Sequence, residues 1–92
     1  MAKNDFLIGN VLEILDDETF EMEVMRVGRK NRLAYGYEEK IHIHRLKQSE
    51  ITTLIGPHPK PFLERMLKGK EVMCLVHSRE PCGHIEADVF II

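Results

Sequence analysis

Two groups of residues in this 92-residue chain have the types and spacing that chemistry requires. The first is the pair His42 and His44, taken with His84, Glu18 and Glu50. Imidazole with carboxylate suits zinc, manganese or iron. Alternating positions on a strand are also ordinary surface positions. The second is Arg26, Arg29, Lys30 and Arg32, four cations within seven residues, followed by Tyr35 and Tyr37. Cations neutralise phosphates and tyrosine rings stack on bases, the combination that holds single-stranded nucleic acid without reading its sequence. A solvated basic loop has the same composition. The series Cys74-x2-His77-x4-Cys82-x-His84 also has zinc-ligand residue types. Cys74 and His77 are three apart on a strand, however, and so point to opposite faces, with Cys74 in line with Val72 and Val76.

The totals restrict the setting of these groups. The length is that of one domain over residues 1–92, with a thin core. Hydrophobic residues make up 43% and charged residues 30%, as in an ordinary globular protein. A formal net charge of −2 gives no global attraction to nucleic acid or to an anionic membrane, so any polyanion must be held by a local patch. No apolar stretch approaches the roughly 20 residues that span a bilayer. The N-terminus lacks the charged-then-apolar layout of a signal, which predicts a cytoplasmic protein. Two cysteines are too few for a disulfide framework, and free thiols are expected.

The positioning elements follow from periodicity. Residues 1–5 are polar and read as a frayed end. Val11, Leu12, Ile14 and Leu15 form an apolar run that meets an acidic turn at Asp16-Asp17-Glu18. After it Phe20, Met22 and Val24 alternate with Glu21 and Glu23, the pattern of a half-buried strand. Strands are thus predicted over about 6–15 and 19–27. A third covers about 40–46, with Ile41 and Ile43 on one face and His42 and His44 on the other. Ile51 to Ile55 is a short mixed segment. Prolines at 57, 59 and 61 exclude regular strand but suit the start of a helix. Phe62, Leu63, Met66 and Leu67 then share one stripe, and Gly69 is a C-terminal stop, giving a helix at about 60–68. Strands at about 71–77 and 85–92 complete the chain. Three strands, a helix and two strands is the order of the OB-fold, a mainly β, five-stranded Greek-key barrel with one short helix.

At the first turn, at residues 41–50 and at residues 80–90, the chain resembles the staphylococcal-nuclease-like (thermonuclease) family of OB-fold phosphodiesterases. The family's Asp-Gly-Asp-Thr turn reads Asp16-Asp17-Glu18-Thr19 here. Its Arg-containing strand ending in Asp-Thr/Ala-Pro-Glu reads His42-Ile43-His44-Arg45-Leu46-Lys47-Gln48-Ser49-Glu50. Its helix, Gly-Lys, strand and Tyr-Gly-Arg turn read Leu67-Lys68-Gly69-Lys70-Glu71-Val72, then Cys82-Gly83-His84 and Ala87-Asp88-Val89-Phe90. The resemblance implies a calcium-dependent nuclease site whose first carboxylate is Glu18 and whose water-positioning glutamate is Glu50. It puts Lys47 where the second carboxylate belongs, Gln48 at the carbonyl ligand, and His42 and His84 at the phosphate-gripping arginines. Calcium wants six to eight oxygens, and a lysine there repels it.

The resulting expectation is a non-catalytic binding module without a metal or cofactor. It would hold single-stranded nucleic acid through Arg26, Arg29, Lys30, Arg32, Tyr35 and Tyr37. The alternatives are a divergent phosphodiesterase using Glu18, Glu50, His42 and His84 with a transition metal, and a protein-interaction domain. The family's enzymes carry helices beyond the last strand. The chain stops at Ile92 instead, which predicts a homodimer through that strand.

Overall fold

The computed structural model describes residues 4–47, 53–55 and 58–92. Six strands and one helix appear in the order β1 (Asp5–Ile14), β2 (Thr19–Val27), β3 (Glu38–Lys47), β4 (Thr53–Ile55), α1 (Lys60–Leu67), β5 (Glu71–Arg79) and β6 (Ile85–Ile91). The sheet runs β2-β1-β5-β6-β3-β4 and closes on itself because β2 also pairs with β3. All pairings are antiparallel except β3 with β6. The closed ring of β1, β2, β3, β6 and β5, with a helix between its third and fourth members, is the OB-type barrel that the element order predicts. Thr53–Ile55 forms β4, which pairs with the far end of β3 where β2 has left it.

Alternation explains the interior. Phe20 and Met22, Ile41 and Ile43, Val72 and Cys74, and Ile85, Ala87 and Val89 all point inward and are buried. Burial alone pushes the Cys74 thiol up to about 12. The helix has Pro61 in its first turn, where a missing N–H costs nothing. It buries Leu63 and Leu67, one turn apart, against the barrel and is followed, after Lys68, by Gly69, whose φ of 75° a side chain would resist.

The apolar run of β1 divides between the two sides of the barrel wall, and one expectation is corrected. Leu12 and Leu15 are exposed, because the β1–β2 register shifts between Val11 and Glu13. The bulge moves the inward positions to Val11 and Ile14, three apart instead of two. Asp5 is not part of a frayed end: it opens β1 and is buried.

β6 has no open edge, since it pairs with β5 along one side and β3 along the other. Ile92, just past its end, is 66% exposed. Among the described residues no helix is long and apolar enough to cross a membrane.

Candidate functional site

The two chemically suggestive groups of the sequence occupy different parts of the barrel. The connection from β2 to β3 forms a basic pole. Its backbone is fixed by two side chains of β1 and the loop itself. Asp5 accepts from the Arg32 N–H (2.8 Å) and the Leu33 N–H (2.9 Å), and from the Tyr35 hydroxyl (2.8 Å). Burial opposes ionisation of Asp5, but these three donors and the Arg32 charge outweigh it and hold the carboxyl below its usual range. Asn31 pairs with the backbone of Phe6 as a strand would. Its amide donates to the Phe6 carbonyl (2.9 Å) and its oxygen accepts from the Phe6 N–H (3.0 Å). Gly28 makes the fit, because a Cβ there would stand 2.5 Å from the Asn31 side-chain oxygen and 2.8 Å from the Phe6 ring.

This frame leaves the cations outward. Arg26, Arg29, Lys30 and Arg32 are all exposed. Among the described residues none of them enters an ion pair. Two shallow hollows, each about 420 Å³, flank the Arg26–Val27 ridge. One is floored by Phe6 and Val27 and edged by Arg29 and Lys30, and the other lies against Met25, Tyr35 and Tyr37. Met25 and Val27 are 58% and 53% exposed, and Tyr37 is 91% exposed. The two tyrosines therefore differ in kind. Tyr37 is a free ring. Tyr35 packs on the core, gives its hydroxyl to Asp5 and lies under the Arg79 guanidinium, 5.6 Å from the ring centre. Burial and the Asp5 bond push its phenol far above the ordinary value. Of the two rings, Tyr37 is the one open to a stacking partner.

The second group lies on the outer face of β3, β5 and β6. His42 is held between two turns: its Nδ1 is 2.8 Å from Glu80 and its Nε2 is 3.4 Å from Glu18. The Glu80 bond is the main cause of a raised His42 pKa, with the Glu18 contact adding to it against partial burial. Asp16 caps the same turn by accepting the Glu18 N–H at 2.9 Å, and that bond chiefly lowers its own pKa. His84 stands with Glu80 and Cys82 on the β5–β6 turn.

The positions matching the nuclease motifs are thus partly gathered. Glu18 and His42 touch, and His84 joins them through Glu80. Lys47 instead lies over Phe90, 5.5 Å from its ring centre. Gln48 and Glu50 fall outside the described residues. Cys74 and His77 point to opposite sides of β5, one buried and one exposed, as their spacing predicts.

Glu80, Glu86 and Asp88 complete this face, and the sequence alone singles out none of them as a site residue. OB-type barrels commonly bind oligonucleotides on the face of strands 2 and 3 and the adjoining loops. Here that region carries Asp16, Asp17, Glu18, Glu21, Glu23, Glu38 and Glu39, which repel a polyanion. Arg26, Arg29, Lys30 and Arg32 cluster instead at and just beyond the C-terminal end of β2. No family model, curated protein or solved structure matches this chain.

Proposed function

We propose that this chain is a non-catalytic OB-type binding module that holds single-stranded nucleic acid weakly at its basic pole. The observation that carries this reading is the preorganised loop. Asp5 and Asn31 fix the backbone, so Arg26, Arg29 and Lys30 stand unpaired around hollows with apolar floors. A fixed loop has little ordering entropy left to lose on binding. Phosphates would lie against the cations, and an unpaired base would stack on Tyr37. A duplex hides the base faces that such stacking needs. Kinship with the staphylococcal-nuclease-like barrels, suggested by the order of motifs, fits a member that has kept the barrel and given up calcium.

The test is a fluorescence-anisotropy titration of a labelled oligonucleotide at two salt concentrations. Wild type is compared with the Arg29→Ala/Lys30→Ala/Arg32→Ala variant. With about three phosphates neutralised at roughly −0.7 each, the wild-type log–log salt slope is near −2. The variant should bind far more weakly with a flatter slope. Equal binding by both proteins removes the loop from the reading. No binding by either at low salt leaves protein interaction as the function.

The divergent phosphodiesterase is the second reading, favoured by the Glu18–His42 contact at 3.4 Å. Cleavage of single-stranded DNA with manganese or zinc, lost in Glu50→Gln, would promote it above the binding module.

A further inference from the structure

The geometry points to a binding site for a zinc-class divalent cation on the outer face of the barrel, with His44, His77 and Asp88 as three ligands. These residues come from three adjacent strands, with β6 between β5 and β3. The register of β3 against β6 shifts between Ile43 and Arg45, and that of β5 against β6 shifts between Val76 and Ser78. Each shift inserts one extra residue, and in both cases that residue is a histidine: His44 on one side and His77 on the other. A bulge re-aims the side chain it carries. Strands separated by one neighbour lie roughly 9–10 Å apart, yet the two imidazole centres approach to 4.6 Å, inclined at 51°. Both rings therefore lean inward over β6, toward Asp88.

Asp88 has no other evident partner. Its Oδ1 is buried and accepts no hydrogen bond among the described residues. His77 Nε2 stands 3.0 Å from that oxygen without forming a hydrogen bond with it. A buried carboxylate oxygen without a donor is costly, and a cation shared with the neighbouring imidazole removes the cost. The candidate ligand atoms of His44, His77 and Asp88 all lie within 4.8 Å of one another. Ligands about 2.1 Å from a tetrahedral ion sit about 3.4 Å apart, so small side-chain rotations close the set. Two imidazoles and one carboxylate select zinc or a neighbouring transition metal over calcium, and three protein ligands leave a fourth position for water.

Glu86 supplies the outer support. Its carboxylate is 3.5 Å from His44 Nδ1, which leaves Nε2 as the nitrogen free to ligate. A carboxylate behind a ligating histidine fixes the tautomer and raises its basicity. With Asp88 it also gives this patch the negative charge that a dication offsets.

The experiment uses the untagged full chain, stripped with chelator, titrated with zinc by calorimetry and with cobalt(II) by visible absorption. One equivalent of zinc, with the absorption of low-coordinate cobalt(II), is expected for wild type. His44→Gln, His77→Gln and Asp88→Asn should each lose at least about tenfold in affinity. Glu86→Gln should cost about 10–100-fold at unchanged stoichiometry. Histidine ring signals in NMR follow the wild type directly, so misfolding of a variant cannot decide the matter: His44 and His77 should shift on zinc addition ahead of the other histidines. Absence of zinc uptake by wild type overturns the assignment, as does full uptake by the His44→Gln/His77→Gln protein. So does uptake lost in Cys82→Ser but kept in that double variant, which moves the ion to the Glu80–Cys82–His84 turn.

Discussion

The basic pole and the histidine–carboxylate face share one barrel but handle their charges in opposite ways. At the pole, Asp5 and Asn31 spend their hydrogen bonds on backbone N–H and C=O groups, the Tyr35 hydroxyl being the one side-chain donor. The loop is held by neutral peptide groups, and its cations face solvent without partners. On the face, side chains meet side chains: His42 lies between Glu80 and Glu18, His44 beside Glu86, and His77 beside Asp88. Carboxylates line that face, so a large polyanion gains little there. A small dication can replace a proton between an imidazole and a carboxylate, and a phosphate chain cannot. The contrast lies in where each element finds its restraint, and it predicts ligands of opposite sign at the two places.

Removing the restraint at the pole should have the largest effect. Asp5→Ala leaves the Arg32 and Leu33 N–H groups without acceptors. At about 1–3 kcal/mol for each unsatisfied group the expected loss is roughly 3 kcal/mol of stability by urea unfolding. Oligonucleotide binding should fall too, although every cation is intact. Binding at wild-type strength would show that the loop needs no frame.

The same bond gives a pH signature. Because the folded-state pKa of Asp5 lies below its ordinary value of 3.8, its contribution is complete above that value. It is lost as the pH falls further and the folded carboxylate takes up a proton. The stability gap between wild type and Asp5→Asn should hold from neutrality to about pH 4 and close below it.

Gly28→Ala attacks the same frame sterically. The added methyl would meet the Asn31 oxygen and the Phe6 ring, and overpacking of this kind costs about 1–3 kcal/mol. None of the atoms the methyl would meet belongs to β3, β5 or β6, so zinc uptake should be unchanged. Coupled loss at both places would mean that the two regions are not independent.

How much of this was legible beforehand depends on the range of the interactions. Alternation located β2 at Thr19–Val27 to the residue, and it identified Cys74 as core, because each rests on neighbours two positions away. The helix followed from its proline start, apolar stripe and terminal glycine. The bulges at Leu12, His44 and His77 broke that period without leaving any signal of their own in composition. Asp5 looked like a polar terminus because its partners lie 27 to 30 residues later. Glu80 reaches His42 across 38 residues. Asp88 joins the histidines only because closure of the barrel sets β6 between β3 and β5. Periodicity reports which way a side chain faces, whereas the site depends on which strands become neighbours.

The smallest expected effects come from the two tyrosines, and they separate frame from contact within a single loop. Tyr35→Phe removes only the hydroxyl that donates to Asp5. The ring stays on the core and under Arg79, so the loss is one hydrogen bond to a carboxylate, roughly 1.5 kcal/mol of stability. Tyr37→Ala removes a ring that is almost wholly solvated, and surface changes of this kind stay within about 0.5 kcal/mol of stability. If a base stacks on that ring, binding weakens by roughly 1–3 kcal/mol, with the salt slope unchanged because no phosphate contact is touched. Thermal unfolding and anisotropy on the two variants should therefore give opposite patterns. Tyr35→Phe lowers the melting temperature and leaves base stacking intact, whereas Tyr37→Ala leaves melting alone and weakens binding. A Tyr37→Ala protein that binds as tightly as wild type would leave the cations as the whole of the nucleic-acid contact.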